Sequence, residues 1–399
     1  LFLNHASLKL EANCGRLRGR AGPQRAHYEG CVVAQKIDLT DKSILVTGGT
    51  GSFGKQFIKR VVQKHKPRRV IVFSRDELKQ YEMQAEPELE GRGEMRYFIG
   101  DVRDVERLQL AMREVDYVVH AAALKQVPTA EYNPFECIRT NVQGAENVVR
   151  AALACGVKRV VALSTDKACN PINLYGASKL ASDKIFVAAN NLAGSIGTRF
   201  SVVRYGNVVG SRGSVVPAFQ KMIRNRCTAL PITDERMTRF WITLRQGVDF
   251  VLSSLQMMKG GEIFVPKIPS MRVIDLARVL APNLPHKKIG IRAGEKLHEL
   301  MISEDDGRNT LELEDRYVIQ PTLSFWGRDA YNGNSRPVRE DFVYASNTNT
   351  EWLDAEGLRR LLEETRALLA AGHREALVAL AAIGYDEAMA RLTGAMDEA

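Results

Sequence analysis

Residues 46–54 read Val46-Thr47-Gly48-Gly49-Thr50-Gly51-Ser52-Phe53-Gly54. An apolar run, 43–47, leads into this stretch, and residues 53–64 have the apolar spacing of a helix. In a strand, loop and helix of this kind, the first glycine permits a tight turn and the second lets the backbone approach a pyrophosphate. The third lets the helix pack against the strand. Free N–H groups at the helix N-terminus then bind the anion. The stretch therefore predicts a dinucleotide-binding loop, and a purely structural glycine turn is the alternative.

The segments after this loop alternate between apolar runs and helical patterns. Such alternation is typical of a doubly wound parallel sheet, and nearly all-apolar strands indicate burial on both faces. We therefore predict an α/β fold, a Rossmann doubly wound parallel sheet with a smaller C-terminal substrate-binding domain. The predicted strands are 43–47, 69–73, 96–99, 117–120, 160–163 and 200–203, and the predicted helices are 53–64, 106–113, 134–155 and 177–193.

The residues after the second predicted strand distinguish NADP from NAD. They are Ser74-Arg75-Asp76, with Lys79 one helical turn later. An acidic residue here would bind the ribose 2′-hydroxyl of NAD, whereas Arg75 offers a planar fork of donors to the 2′-phosphate of NADP. Asp76 argues for NAD, but we favour NADP. Asp101, after the third strand, is expected on the adenine amino group, and an aspartate in a surface turn is the alternative.

A second polar cluster follows the predicted strand 160–163. It consists of Ser164-Thr165-Asp166-Lys167, and Tyr175-Gly176-Ala177-Ser178-Lys179 comes shortly after it. Tyr175 and Lys179 are four residues apart, so they share one face of a helix. We expect the Lys179 ammonium to lower the pKa of Tyr175 and to bind the nicotinamide ribose. A tyrosine with a lowered pKa suits the proton transfer that accompanies hydride transfer from an alcohol.

The glycine loop, the strand-end Ser and Thr, and the Tyr-x-x-x-Lys spacing together resemble the extended short-chain dehydrogenase/reductase family. Four further stretches resemble, more narrowly, the inverting UDP-N-acetylglucosamine 4,6-dehydratases, which open the pathway to pseudaminic acid and related sugars. The resemblance covers about 43–355. The stretches are His120-Ala121-Ala122-Ala123-Leu124-Lys125, Ser164-Thr165-Asp166-Lys167-Ala168, Arg204-Tyr205-Gly206-Asn207-Val208-Val209-Gly210-Ser211-Arg212-Gly213-Ser214 and Met237-Thr238-Arg239-Phe240-Trp241.

The resemblance implies a hydro-lyase that converts UDP-N-acetylglucosamine into a UDP-2-acetamido-2,6-dideoxy-β-L-arabino-hex-4-ulose. We expect Tyr175 to take the C4 hydroxyl proton while NADP+ takes the C4 hydride, with Thr165 bound to the C4 oxygen. Lys167 then removes the C5 proton and Asp166 protonates the departing C6 hydroxyl. The hydride returns to C6 and a proton returns to the opposite face of C5. Sugar-nucleotide 4,6-dehydratases in general carry Asp-Glu where this chain has Asp166-Lys167.

A lysine that acts as a base must be neutral, so we expect the pKa of Lys167 to be lowered. The alternative is that Lys167 is an ordinary phosphate-binding or surface lysine.

The residues and the resemblance together assign binding roles. The predicted cofactor-binding residues are Gly48, Thr50, Gly51, Ser52, Phe53, Gly54, Ser74, Arg75, Asp76, Lys79, Asp101, Val102, Ala121, Ala122, Ala123, Lys125, Ser164, Tyr175, Lys179, Val208, Ser211 and Arg212. The predicted substrate-binding residues are Lys125, Thr165, Asp166, Asn207, Val215, Thr233, Arg292 and Asn349. Arg292 is expected on the diphosphate, because an arginine binds phosphate oxygens bidentately. Ala293 stands where the family has a proline.

Composition limits the partners of the protein. The formal net charge is +9, and residues 1–36 hold six Lys or Arg and two Asp or Glu. The remaining charge suits anionic small molecules better than nucleic acid. No apolar run approaches the roughly 20 residues that span a bilayer, and the N-terminus lacks an apolar signal-peptide core. Six scattered cysteines without a CxxC pair predict no metal site and a reducing compartment. We expect a cytoplasmic enzyme without a nucleic-acid or membrane partner, and the resemblance implies a homo-oligomer.

Three other functions remain open at this point. A sugar-nucleotide 4-epimerase, like a retaining 4,6-dehydratase, would share the cofactor loop, Tyr175 and Lys179. An epimerase needs no acid and base for elimination, so Asp166-Lys167 argues against it. A regulatory NADP-binding protein without turnover would have no need of Thr165, Tyr175 and Lys179.

Changes of composition divide the chain into parts. Gly and Pro become more frequent after about residue 205, and the last part is rich in Ala, Leu, Glu and Arg, which predicts helices. The expected parts are a tail (1–40), an NADP-binding Rossmann domain (41–205, with 236–260 returning to it), a substrate-binding portion (206–235 and 261–350) and a helical C-terminal extension (351–399).

Overall fold

The computed structural model describes residues 37–211, 213–322, 331 and 335–365. All of these residues belong to one unit of the chain, Gln35–Ala399. Three predictions lie outside the described residues: the tail as far as residue 36, the cofactor residue Arg212, and the helical extension beyond residue 365.

A ten-stranded sheet forms the core of the fold. The strands, numbered along the chain, are β1 (Ser43–Thr47), β2 (Arg69–Ser74), β3 (Met95–Ile99), β4 (Tyr117–His120), β5 (Arg159–Thr165), β6 (Arg199–Tyr205), β7 (Asn207–Val208), β8 (Leu230–Ile232), β9 (Thr238–Ile242), β10 (Ile263–Pro266), β11 (Ser270–Arg272), β12 (His286–Lys288), β13 (Leu300–Ile302), β14 (Thr310–Glu312), β15 (Arg316–Ile319), β16 (Arg336–Pro337) and β17 (Tyr344–Ala345). The order across the large sheet is β16-β14-β15-β10-β6-β5-β4-β1-β2-β3.

Most of this sheet is parallel. Strands β3, β2, β1, β4, β5, β6 and β10 pair in parallel, and β15, β14 and β16 add an antiparallel edge. The predicted α/β class and doubly wound sheet are therefore confirmed, together with all six predicted strands. The carboxyl ends of β1, β4, β5 and β6 meet at one edge, where open parallel sheets bind their ligands. Three small sheets, β11-β9-β7, β12-β8 and β13-β17, lie outside the large one.

Helices cover the sheet in two layers. The helices are α1 (Ser52–Lys64), α2 (Glu77–Gln84), α3 (Val105–Ala111), α4 (Val127–Tyr132), α5 (Pro134–Ile138), α6 (Gly144–Ala154), α7 (Leu174–Ala189), α8 (Val215–Arg224), α9 (Leu244–Met257), α10 (Val273–Leu280) and α11 (Glu304–Gly307). Helix α1 packs against α9, whereas α6 packs against both α3 and α7. Because α7 and α9 both contact β5 and β6, the central strands are buried on both faces, which explains their continuous apolar sequences.

Two predicted helices differ from the observed ones. The predicted helix 134–155 is interrupted, because the five residues Arg139–Gln143 form a π-helical turn between α5 and α6. The predicted helix 177–193 begins earlier, at Leu174, because the Asn173 side chain accepts a hydrogen bond from Gly176 N and caps the helix. Tyr175 therefore lies in the first turn of α7.

The large sheet continues beyond the predicted boundary at residue 205. Strand β10 pairs in parallel with β6, and β14, β15 and β16 follow it in the same sheet, although all four come from the predicted substrate-binding portion 261–350. Helix α9, from the segment expected to return to the Rossmann domain, packs on α1, β5 and β6. The domain limits stay a prediction, but they do not coincide with the limits of the sheet.

Candidate active site

The loop after β1 has the geometry of a close approach between backbone segments. Gly48 has a φ of +66°, and a Cβ there would lie 2.9 Å from the backbone nitrogen of Ala122. A Cβ on Gly54 would lie 2.6 Å from the Gly49 carbonyl oxygen. Helix α1 starts with no side-chain cap and no acidic residue in its first turn, so its first N–H groups can receive an anion. These features fit a dinucleotide pyrophosphate.

Gly48→Ala is expected to lower the free energy of unfolding by about 3–4 kcal/mol, because the new Cβ combines a left-handed conformation with a clash against Ala122. Gly91 is a matched control, since its φ is also +66° but a Cβ there meets nothing within 4 Å. Gly91→Ala should therefore cost only about 1–2 kcal/mol. Urea unfolding of the two variants measures both values, and equal losses would show that the contact with Ala122 contributes nothing.

The carboxyl end of β2 carries a basic side chain, Arg75, and an acidic one, Asp76, that is already bound within the protein. Thr50 Oγ1 and Ser74 Oγ are 2.8 Å apart, so the loop meets the end of β2. Asp76 caps α2 by accepting a hydrogen bond from Lys79 N at 3.0 Å, and its carboxylate also pairs with the Lys79 ammonium. Arg75 is about half exposed. The only acidic residue of the Ser74-Arg75-Asp76 triplet is thus bound to its own helix.

Asp101 is engaged by two arginines. Its carboxylate accepts hydrogen bonds from Arg103 at 2.7–3.0 Å and lies 3.5 Å from Arg75. Burial raises the pKa of Asp101, but the Arg103 hydrogen bonds outweigh burial and leave that pKa below its ordinary value. The predicted contact of Asp101 with adenine stays a prediction.

The loop after β4 carries several of the predicted cofactor residues and is held from two sides. Ala121 N and Ala122 N donate to Thr47 Oγ1 at 3.2 and 3.3 Å. On the other side, Asn141 accepts from Leu124 N at 2.8 Å and donates to Leu124 O at 2.9 Å. Asn141 lies in the π-helical turn, and sequence reasoning missed it because its partner is a backbone segment distant in the chain.

Three other predicted cofactor residues lie near the ends of β5 and β7. Ser164 Oγ donates to Asp183 Oδ2 at 2.8 Å, so the proton of the Ser164 hydroxyl is bound by another side chain of the protein. Arg204 Nη2 also donates to this carboxylate at 3.4 Å, and both Asp183 and Arg204 are buried. Val208 lies in β7, and Ser211 N donates to Val208 O in the turn that follows.

The predicted catalytic residues come together where β5 ends. Thr165 is the last residue of β5, and a single 3-10 turn, Asp166–Ala168, follows it. Thr165 Oγ1 donates to Asp166 Oδ1 at 2.8 Å. Helix α7 packs against this turn so closely that a Cβ on Gly176 would lie 2.2 Å from the Lys167 carbonyl oxygen. The glycine after Tyr175 thus lets the first turn of α7 reach the turn that carries the predicted acid and base, Asp166 and Lys167.

The side chain of Lys167 lies between two carboxylates. Its Nζ is 3.1 Å from Asp166 Oδ1 and 3.1 Å from Glu299 Oε1. Burial lowers the pKa of Lys167, but the charges of Asp166 and Glu299 outweigh burial and raise this pKa above its ordinary value. The prediction of a lowered pKa is therefore wrong for this structure, because the sequence did not reveal the second carboxylate.

Tyr175 also differs from the prediction. Burial raises the pKa of its phenol to about 12, although the charge of Lys167 and a hydrogen bond with Thr165 act in the opposite direction. The prediction that Lys179 lowers the Tyr175 pKa is wrong here, because desolvation of the phenolate is the larger effect. Lys179 is itself buried, which lowers its own pKa, while Asp183 one helical turn later raises it.

The predicted substrate residues occupy several separate elements. Asn207 lies in β7, Val215 begins α8, and buried Thr233 follows β8. Arg292 is exposed and pairs with Glu295 at 2.7 Å. Lys125 is exposed as well.

Asn349 uses its side-chain amide within the protein. Its Nδ2 donates to Ile268 O, Ser270 Oγ and Glu351 O at 2.9–3.0 Å. These bonds fix the chain after β17 against β11. A direct contact of Asn349 with substrate stays a prediction.

Sequence reasoning missed several buried charged residues beside the site. All of them are buried and have partners far away in the sequence. They are Asp183, Arg204, Arg239 and Glu299. A weak signal existed for Glu299, since it directly precedes the apolar residues of β13. Among the described residues, no group of His, Cys, Asp and Glu has the arrangement of a metal site, and no helix there is long and apolar enough to cross a membrane.

Comparisons with known proteins agree on one family. The family model described as "Polysaccharide biosynthesis protein" matches residues 44–321. UDP-N-acetylglucosamine 4,6-dehydratase (inverting) from Campylobacter jejuni is 58% identical over 330 residues, which cover 81% of this chain and 98% of the relative. UDP-glucose 4-epimerase from Rickettsia canadensis is 42% identical over 291 residues, 70% of this chain and 83% of the relative. The solved structure of Pen from Bacillus thuringiensis is 37% identical, with a TM-score of 0.76 over 83% of this chain and 99% of that chain.

Proposed function

The chain belongs to the polysaccharide biosynthesis protein family and, within it, to the inverting UDP-N-acetylglucosamine 4,6-dehydratases, and we propose that it removes water from UDP-N-acetylglucosamine with inversion at C5. As a member of this group it is a hydro-lyase. The observation that carries the proposal is the pair Asp166 and Lys167 in one turn, with Tyr175 on the helix packed against that turn. Elimination across C5 and C6 needs an acid and a base side by side.

A sugar-nucleotide 4-epimerase is the second candidate, because the relative from Rickettsia carries that kind of name. An epimerase needs the tyrosine for its hydride step, but it needs no acid and base for elimination. The buried Asp166 beside Lys167 favours dehydration over epimerisation. A regulatory protein without turnover is disfavoured, since it would have no use for the Thr165, Asp166 and Lys167 turn against α7.

The reaction assigns one task to each side chain of the site. NADP+, when bound, would supply the hydride acceptor for C4 and later the hydride donor for C6. Tyr175 Oη takes the proton of the C4 hydroxyl, and the Thr165 hydroxyl holds the C4 oxygen. The resulting 4-keto group acidifies the C5 proton, which Lys167 Nζ removes. Asp166 donates a proton to the C6 hydroxyl, which leaves as water, and C5 is reprotonated from the opposite face.

A product assay tests this function. The protein is incubated with UDP-N-acetylglucosamine in deuterated water, the loss of one water is followed by mass spectrometry, and the configuration at C5 is determined by NMR. A 4-keto-6-deoxy product with inverted C5 is the expected result. A product with retained C5 configuration would indicate a retaining dehydratase, and UDP-N-acetylgalactosamine would indicate the epimerase. Tight NADP binding without conversion would indicate a regulatory protein.

We propose NADP as the cofactor. The glycine loop and the uncapped N-terminus of α1 fit a pyrophosphate, as described above. Arg75 supports the choice of NADP over NAD, because its guanidinium is half exposed at the carboxyl end of β2. Asp76, which would disfavour a 2′-phosphate, is instead bound to Lys79 and to the start of α2.

Arg75→Ala is expected to weaken NADP binding by about thirtyfold, which corresponds to the loss of about 2 kcal/mol from a charge-assisted hydrogen bond. Binding of NAD should change little. Arg68→Ala is the control, because Arg68 precedes β2 at the opposite end of that strand. Isothermal titration of both cofactors into both variants measures the effect, and an equal loss for NADP and NAD would contradict a 2′-phosphate contact.

The cellular setting and the oligomeric state of the enzyme form a separate proposal. We infer a cytoplasmic homo-oligomer that feeds pseudaminic acid synthesis, the pathway to which the inverting dehydratases are linked by resemblance. Free cysteines at 137, 155, 169 and 227 suit a reducing compartment. The exposed apolar side chains of Tyr132, Phe135 and Ile138 around α4 and α5 suit a subunit contact. Light scattering of the purified protein tests the oligomer.

A further inference from the structure

Glu299 is a buried carboxylate that directly contacts the proposed base. Its side chain is 2% exposed, and Oε1 is 3.1 Å from Lys167 Nζ. Oε2 is buried and has no hydrogen-bond partner in the described part of the chain. A buried carboxylate of this kind is costly unless its charge is compensated. The compensating charges are Lys167 on one side and Arg239, whose Nε lies 3.6 Å from Oε1, on the other.

The backbone around Glu299 is rigidly held. Glu299 N donates to Ser346 Oγ at 2.8 Å, and Ser346 N donates to Glu299 O at 2.8 Å. Arg239 in β9 donates to Leu297 O at 3.2 Å and to Lys296 O at 2.9 Å. Glu299 is therefore fixed in front of Lys167 by contacts that do not involve the proposed acid or base themselves.

Asp166, Lys167, Glu299 and Arg239 form a cluster of two negative and two positive charges. We propose that Glu299 and Arg239 are positioning residues that keep this buried cluster electrically neutral, so that one proton shift from Lys167 to Asp166 creates the base and the acid together. The inference rests on the proposed dehydration, and it explains how a lysine that is charged in this structure becomes a base.

The proton shift is balanced within the cluster. An N–H bond of Lys167 breaks and an O–H bond of Asp166 forms across the 3.1 Å contact, which leaves a neutral amine and a carboxylic acid. The proton goes to Asp166 Oδ1, and Asp166 Oδ2 is buried without a partner in the described part of the chain, so no donor there stabilises the ionised carboxylate through that oxygen. Glu299 then loses its ion pair with Lys167 but keeps the one with Arg239, and the net charge of the cluster stays at zero.

The pKa of Lys167 depends on a small set of groups. Burial lowers it, Asp166 and Glu299 raise it, and Arg239 lowers it. Tyr175 faces the same cluster, since Lys167 and Asp166 both act on its pKa. His298, next to Glu299, contacts Thr238 Oγ1 through Nδ1 at 2.8 Å. Burial, followed by Arg239, lowers the His298 pKa, which favours the neutral form of this ring.

Titration of Lys167 by NMR tests the proposal without any turnover. The protein, saturated with NADP, carries lysine labelled with carbon-13 at Cε, and the Lys167 signal is assigned by its loss in Lys167→Met. In the wild type we expect the chemical shift of Lys167 Cε to stay constant across the accessible pH range, because the amine remains protonated. In Glu299→Gln the midpoint should fall by about one to three pH units, and the rising limb of kcat against pH should move to lower pH with it.

A second substitution in the Glu299→Gln background separates charge from structure. Adding Arg239→Met restores neutrality and should raise the Lys167 midpoint again, whereas adding Arg239→Lys keeps the charge and should leave the midpoint low. Both substitutions of Arg239 remove the guanidinium hydrogen bonds to the carbonyls of residues 296 and 297, so the two double variants lose the same structural contacts and differ in charge. Glu312→Gln, on β14, is a remote control that should leave Lys167 unchanged.

Two results would overturn the proposal. The first is a Lys167 signal in Glu299→Gln that does not titrate, as in the wild type. The second is the same Lys167 midpoint in the double variant with Arg239→Met as in the double variant with Arg239→Lys. Failure of the dehydratase function would instead appear as a wild-type protein that forms no 4-keto product.

Discussion

Lys167→Met is expected to lower the rate of product formation by about a thousandfold or more, which is the usual contribution of a general base. Oxidation at C4 should survive at a reduced rate, because it relies on Tyr175, whose pKa rises further when the charge of Lys167 is lost. A single turnover of the variant should therefore show the near-ultraviolet absorbance of reduced cofactor without any deuterium exchange at C5. The variant loses the cation between Asp166 and Glu299 and should be less stable, but the fold should survive, since Asp166 keeps its hydrogen bond from Thr165 and Glu299 keeps Arg239 at 3.6 Å.

Lys167→Arg is the matched control for this result. The guanidinium keeps the positive charge between Asp166 and Glu299, but it is not deprotonated in proteins and so cannot act as a base. If Lys167 acts as the base, both variants lose C5 exchange. Recovery of exchange in Lys167→Arg alone would mean that the site needs only the charge, and exchange in both variants would remove Lys167 from the reaction.

The features that the sequence predicted correctly depend on neighbours in the chain. The glycines at 48 and 54 and the strand before them define a local unit, and the Tyr175–Lys179 spacing follows from the helical period. The true start of α7 was also local, since Asn173 is a typical N-cap residue. The predicted start of this helix, residue 177, is too late because the apolar pattern begins after the cap.

The features that the sequence did not predict depend on distant partners. The π-helical turn in 134–155 coincides with the binding of Asn141 to Leu124 in another loop. Gly144 directly follows the turn, but a single glycine is tolerated inside a helix and so does not by itself predict a break. The predicted direction of the Lys167 pKa shift is wrong because Glu299 comes from the segment just before β13, far along the chain. Charge balance in a buried site is a property of the assembled fold.

The second large effect concerns the hydride step. Tyr175→Phe is expected to lower the overall rate by about a thousandfold or more, and it should do so before any cofactor is reduced. Burial raises the pKa of Tyr175 to about 12, so the phenol is protonated at neutral pH in this structure. Because Tyr175 is proposed to accept the C4 proton as a phenolate, the rate of C4 oxidation in the wild type should increase with pH as the phenolate fraction grows.

Rapid mixing of Tyr175→Phe with UDP-N-acetylglucosamine and NADP+ should show no absorbance of reduced cofactor, in contrast to Lys167→Met. Tyr97→Phe is the matched control, because burial also raises the pKa of Tyr97 to about 12 and its hydroxyl, on β3, has no partner among the described residues. That variant should keep the wild-type rate. A reduced-cofactor signal in Tyr175→Phe would assign the C4 proton to another group. Its absence, together with the signal in Lys167→Met, would order the two steps: Tyr175 acts at C4 before Lys167 acts at C5.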